Sequence, residues 1–399
     1  MDNGQMTRLA ELAVGVGANV QPDQIVVVGS EPGKEPLTRA VAEAAYKAGA
    51  KFVDVSWFDP YVKRARIAYA PDDSLEFVPD WYGQRALALG DVRAARIGLA
   101  GSANPGVLDG LDPKRAGRDR LPAIKENSQV LSERTTNWTI VPCPNEKWAA
   151  LVHPDLEPEA ALAKLWEQVA YVCRLDEPDP GAAWAERVVQ LATAASRLDD
   201  RQFDALHYTG PGTDLTIGLL PQHSWISGSM ETVDGIRHMA NLPTEEVFTS
   251  PDPQRAEGVV SATLPLVLVD GTVVRDLVMH FEDGAVVELT ASSGEDVMRA
   301  IVARDAGACR LGECALVDRE GRIGALETIF YDTLLDENAA SHLAIGVGFP
   351  FAVADEFASR VNVSEVHLDF MIGGPQVDVT GITHDGERVP ALMGGDWKL

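Results

Sequence analysis

His367 and Asp369 lie two residues apart in the apolar stretch Ser-Glu-Val-His-Leu-Asp-Phe at 364–370. On an extended strand, residues i and i+2 share a face, so Glu365, His367 and Asp369 would stand opposite Val366, Leu368 and Phe370. An imidazole beside a carboxylate on one strand face can ligate a divalent metal. Taken alone, such a pair is more often the polar face of an ordinary strand. Three further segments carry groups of the same kinds. Residues 241–249 set the adjacent carboxylates Glu245 and Glu246 between a proline turn and a short β-prone run. Residues 310–317 place Glu313 just before an apolar strand, and residues 336–346 read as a helix carrying His342 beside small residues. Burying charges in such places is costly unless they are paired or bind a cation. Three or four carboxylates converging with two histidines would suit a pair of zinc, manganese or cobalt ions, whereas calcium favours oxygen ligands alone.

The elements that must position these groups fall into two textures. The first half alternates strands at 24–29, 51–56, 94–100 and 137–142 with helices at 35–48, 157–172 and 182–198, a pattern that predicts a parallel α/β sheet. The Pro- and Gly-containing segment 176–181 interrupts the chain, and a boundary near residue 200 gives an N-terminal α/β domain over 1–200. The second half, 201–399, is β-rich at 213–220, 258–268, 272–281 and 285–290. Asp-Gly pairs at 270–271 and 283–284 predict hairpin turns. With a helix over 294–306 and the acidic and imidazole segments, it reads as an α+β domain whose mixed sheet carries the metal site. At 399 residues the chain exceeds what one core usually supports, which favours two domains.

Composition bounds the function. A formal net charge of −26 argues against nucleic acid and against an anionic membrane surface as partners, since both need clustered basic residues. No stretch reaches the length of about eighteen apolar residues that a membrane span needs. The polar start Met1-Asp-Asn-Gly and the weakly flanked run 9–16 give no secretory signal, so a cytoplasmic location is the expectation. Four cysteines, Cys143, Cys173, Cys309 and Cys314, are too sparse for a disulfide framework, and Cys309 and Cys314, whose spacing is not that of a zinc knuckle, read as buried free thiols. The loop Gly-Ser-Glu-Pro-Gly-Lys at 29–34 lacks the spacer and the hydroxyl residue of a phosphate loop, and reads as a strand-to-helix turn.

The order of the acidic and imidazole motifs resembles that of the metallo-aminopeptidases of the aminopeptidase T and aminopeptidase S type, the thermophilic metalloproteases. The resemblance rests on Pro-Thr-Glu-Glu-Val-Phe-Thr at 243–249, Arg-Leu-Gly-Glu at 310–313, the stretch 330–344 and Val-His-Leu-Asp-Phe-Met-Ile-Gly at 366–373. It implies two divalent metal ions (Zn, Co, Mn or Mg) held by Glu246, Glu313, His342, His367 and Asp369. Neighbours on an extended chain point to opposite sides, so Glu245 and Glu246 compete for the ligand's place; Glu246 is preferred, which leaves Glu245 as the candidate general base. The resemblance further implies short peptides as substrates and a homodimer as the assembly. One departure stands out. The family tyrosine seven residues after the histidine of the third motif is Phe349 here, and phenylalanine cannot donate a hydrogen bond to a developing oxyanion. The alternative is therefore a same-fold protein that binds metal or peptide with weak or no peptidase activity. Tyr331 could compensate, though nothing in the sequence places it at the site.

Overall fold

The computed structural model describes residues 3–122, 124–268 and 272–399. The chain forms two compact units: residues 1–187 with 229–244, and residues 188–228 with 245–399.

In the first unit, β1 (Ile25–Ser30), β2 (Phe52–Trp57), β3 (Ala95–Ala100) and β4 (Trp138–Pro142) form a parallel sheet in the order β2-β1-β3-β4. The Val-rich β1 lies inside this sheet, with Val26, Val27 and Val28 all buried. The helix Glu35–Lys47 that follows it has proline in its first turn, where a missing N–H costs nothing. Its Leu37, Val41, Ala44 and Ala45 recur at three- and four-residue spacing and are buried, as an amphipathic helix over a sheet requires. These elements match the strands and helices expected from sequence to within a residue or two.

In the second unit, β5 (Ile226–Ser227), β6 (Glu246–Thr249), β7 (Leu311–Val317), β8 (His342–Gly346) and β9 (His367–Met371) form a sheet in the order β9-β8-β7-β6-β5. Every pairing in it is antiparallel. A second, eight-stranded antiparallel sheet includes Ala205–Gly210, Thr213–Leu219, Pro251–Ser261 and Asp378–Ile382. Val247, Cys314, Leu316, Leu343, Ile345 and Phe370, from one face of the five-stranded sheet, join Tyr208, Leu215, Ile217 and Val379 of the larger sheet in one core. The hairpin expected at Asp283-Gly284 joins Val278–Glu282 to Ala285–Thr290, with both turn residues at positive φ. The turn expected at Asp270-Gly271 lies outside the described residues.

The segment 336–346 departs from expectation. The helix is only Thr333–Glu337, and His342 opens strand β8. Local propensity yields here to pairing on both sides: β8 is hydrogen-bonded to β7 and to β9, so its backbone is satisfied as a central strand. Asn338 closes the helix by donating from Nδ2 to the Leu334 carbonyl at 3.0 Å.

Candidate metal centre

Strand alternation that sends Val247, Cys314, Leu343 and Phe370 into the core sends Glu246, Glu313, His342 and Asp369 to the opposite face. Adjacent antiparallel strands bring them into register: Ala344 of β8 lies opposite Glu313 on one side and Asp369 on the other, and Gly346 lies opposite His367. A bulge between Leu311 and Glu313 resets β7. Gly312 permits it, since a Cβ there would stand 2.3 Å from the Gly346 carbonyl oxygen. Gly346 has φ 100 and a Cβ on it would meet the Val366 carbonyl at 2.0 Å, so no other residue fits beside His367.

Two triplets result. Ligand atoms of Glu246, Glu313 and His342 lie within 4.8 Å of one another, as do those of Glu313, His367 and Asp369. Glu313 belongs to both. The imidazoles are oriented from behind. His342 Nδ1 is 3.2 Å from the Ala340 carbonyl and His367 Nδ1 is 2.9 Å from the Val347 carbonyl, so each Nδ1–H donates to backbone and each Nε2 is left for the cluster. His342 Nε2 stands 3.1 Å from Glu246 Oε2; His367 Nε2 stands 3.2 Å from Glu313 Oε2 and 3.5 Å from Asp369 Oδ1.

Sequence reasoning missed one residue. Glu337, at the end of the short helix, is buried, and burial together with the charges of Asp369 and Glu246 pushes its carboxyl well above the usual range. It belongs to neither triplet, but the charges that act on it are those of the cluster. Its motif was within the matched stretch 330–344, but an acidic pair, Asp336-Glu337, in a mistaken long helix gave no sign of which side chain turned inward. Asp336 instead accepts from the N–H groups of Phe330 (2.8 Å) and Asp332 (3.1 Å) and fixes the preceding loop. Glu245 is fully buried but joins neither triplet; its N–H donates to Asn338 Oδ1 at 2.7 Å, and its Cβ and Cγ lie over Gly321. Phe349 reaches the site, its ring 5.4 Å from that of His367. Tyr331 is engaged elsewhere, its hydroxyl oxygen accepting from Arg275 Nη2 at 3.3 Å.

The donor set fits divalent cations. Glu246, Glu313 and Asp369 bring three carboxylates against two imidazoles, with Glu337 acting on them electrostatically, and the one close neighbour given for the buried Glu246 Oε2 is His342 Nε2 at 3.1 Å. Burial alone would lower the His342 pKa, but Glu246 outweighs it and raises it to about 10. Burial is likewise outweighed at His367 by Asp369 and Glu313, which hold its pKa well above the usual value. Protons thus take the place that a doubly charged ion would fill in a mixed nitrogen and oxygen site.

Comparison with known proteins agrees with this geometry. The family model for thermophilic metalloprotease (M29) matches residues 2–397. Aminopeptidase T of Thermus aquaticus is 40% identical over 403 residues, covering 99% of this chain and 98% of the relative. Aminopeptidase PepS of Streptococcus thermophilus is 38% identical over 406 residues, with 99% and 98% covered. The solved structure of wild-type AmpT from Thermus thermophilus has a TM-score of 0.89 at 39% identity, with 99% of each chain covered. The fold and site define a metalloprotease, and the chain belongs to the thermophilic metalloprotease (M29) family. It is an enzyme of the metallo-aminopeptidase type.

Proposed function

We propose that the protein releases N-terminal residues from short peptides with two divalent cations, one held by Glu246, Glu313 and His342 and the other by Glu313, His367 and Asp369. The observation that carries this is the membership of Glu313 in both triplets, which suits a carboxylate bridging two ions. Bound cations would lower the pKa of a water and polarise the scissile carbonyl. The chain's own residues do the rest. Ala340 and Val347 carbonyls hold both imidazoles in the tautomer that offers Nε2. Glu337, a carboxylate outside both triplets on which the charges of the cluster act, is better placed than Glu245 to accept a proton from water and pass it to the leaving nitrogen. Phe349, whose ring centroid lies 5.3 Å from that of Phe248 and 5.3 Å from that of Phe351, presents an apolar wall beside His367 with no hydroxyl.

That wall is also what favours the second reading, a metal- or peptide-binding relative of weak activity. The deciding assay uses metal-stripped protein, a panel of aminoacyl-fluorophores and dipeptides, and Zn, Co, Mn or Mg added back, with Glu313→Gln alongside. Cleavage restored by metal and absent in Glu313→Gln supports the peptidase. Silence across the panel with metal bound supports the weakly active alternative, and failure to bind metal overturns both. The homodimer implied by the family resemblance and the cytoplasmic location expected from the sequence belong to the same reading, and sedimentation of the full chain tests the dimer.

A further inference from the structure

The parallel sheet of the first unit reverses its direction of winding between β1 and β3, since β1 continues to β2 on one side and β3 to β4 on the other. In open α/β sheets, ligands bind in the crevice beyond the carboxyl ends of the strands at such a point. Here the segments that follow β1, β3 and β4 line a cavity of about 480 Å³, within the range of small-molecule sites, and no member of the metal cluster contributes to it. Leu37, Pro144, Leu162 and Trp166 give it apolar walls.

Its polar side chains are Lys34, Tyr61, Asn104, Asn145, Glu146 and Lys147, of which Asn145 is satisfied by accepting from the Trp148 N–H (3.0 Å) and donating to the Ser102 and Cys143 carbonyls (3.3 Å each). Asn104, 7% exposed, accepts from Lys147 Nζ at Oδ1 (2.6 Å), which fixes the amide and leaves Nδ2 without a partner among the described residues. Lys147 is exposed and has further N–H groups to give. Lys34, 4% exposed, donates to the Leu99 carbonyl (2.6 Å) and pairs with Glu31 Oε1 (2.9 Å), leaving one N–H. Glu31 Oε1 also accepts from the Ala103 N–H at 3.0 Å. The ligand must therefore supply acceptors. Glu31 already balances Lys34, and the Gly33 N–H is taken by Glu35 Oε2 at 3.1 Å, so the loop after β1 offers no cradle for a doubly charged phosphate. Glu146 stands exposed at the rim, in water.

We propose that this crevice binds a small monocarboxylate with an apolar body, its carboxylate on Asn104 Nδ2 and Lys147 Nζ and its body against Leu37, Leu162 and Trp166. The site is separate from the metal cluster and does not rest on the peptidase reading. Calorimetric titration of the full-length, metal-loaded protein with 3-phenylpropanoate tests it, with 3-phenylpropanamide as the uncharged probe. Saturable binding of the acid is expected, at least tenfold weaker for the amide, at least tenfold weaker in Lys147→Met and Asn104→Leu, and retained in Glu313→Gln. Lys147 is exposed, so its variant keeps the test valid where Asn104→Leu fails to fold. No binding, equal binding of acid and amide, or binding that survives Lys147→Met and disappears in Glu313→Gln would overturn the proposal.

Discussion

The phenyl ring of Phe349 lies 5.4 Å from the imidazole of His367, and its backbone N–H donates to Ser250 Oγ at 2.7 Å just beyond the end of β6. The family's tyrosine position is thus held at the metal cluster, with a ring but no hydroxyl. Phe349→Tyr adds the donor on an anchored backbone. We expect kcat to rise by about tenfold or more, given that one oxyanion donor is typically worth ~10²–10³. Metal content, read by elemental analysis, should not change. A rise in KM alone would show that the ring serves binding and not the developing charge.

Glu313 and Glu337 separate holding metal from moving a proton. Glu313→Gln removes the shared carboxylate, and we expect metal content and turnover to fall together. Glu337→Gln should retain metal by elemental analysis while kcat falls ~10²-fold or more, the usual scale of general acid–base catalysis. Loss of metal in Glu337→Gln would instead make that residue a ligand. Unchanged turnover there, with a large loss in Glu245→Gln, would return the base to Glu245.

Much of this site was legible because a strand writes its faces into the sequence at period two. The alternation of Val366, Leu368 and Phe370 with His367 and Asp369 predicts a two-faced strand, and β9 has Phe370 in the core; Asp283-Gly284 predicts the hairpin that forms there. What failed was local reading where tertiary pairing decides: the Ala-Ala-Ser-His-Leu-Ala run looks helical, yet its backbone is claimed by β7 and β9 on either side. The same error concealed Glu337, whose inward orientation depends on where the short helix ends. The bulge at Gly312 was equally invisible, since its cause is the close approach of the Gly346 and Val347 carbonyls from another strand.

Proton release should accompany metal binding. In the metal-free protein His342 titrates at about 10 and is protonated at pH 7.5, and Asp369 and Glu313 hold His367 well above its usual value against the effect of burial. Coordination requires neutral imidazoles. Titration of zinc at pH 7.5 in buffers of different ionisation enthalpy should report net proton release, with affinity increasing from pH 6 to 9. Stability follows the opposite course in the metal-free protein. A raised folded-state pKa contributes stability that is complete below about 6.5 and lost as pH climbs through about 10. Thermal melts of stripped protein should therefore fall across that window, and zinc should flatten the fall. Zinc binding with no proton uptake by buffer would remove the imidazoles from the ligand set.

The four cysteines differ in a way that a single reagent can read. Burial pushes the Cys143 thiol up to about 12 and those of Cys173 and Cys314 still higher, whereas Cys309 is only half-buried. A thiol at 12 is ionised in about one molecule in 10⁴ at pH 8, and the thiolate is the reactive form. Native protein should therefore release one equivalent of thionitrobenzoate with Ellman's reagent on the time scale of minutes, and denatured protein four. Cys309→Ser should abolish the native signal without altering peptide hydrolysis, because Cys314, not Cys309, lies on the core face of β7 beside Glu313. A second rapidly reacting native thiol would mean that β7 or the first unit's core opens far more readily than its burial implies.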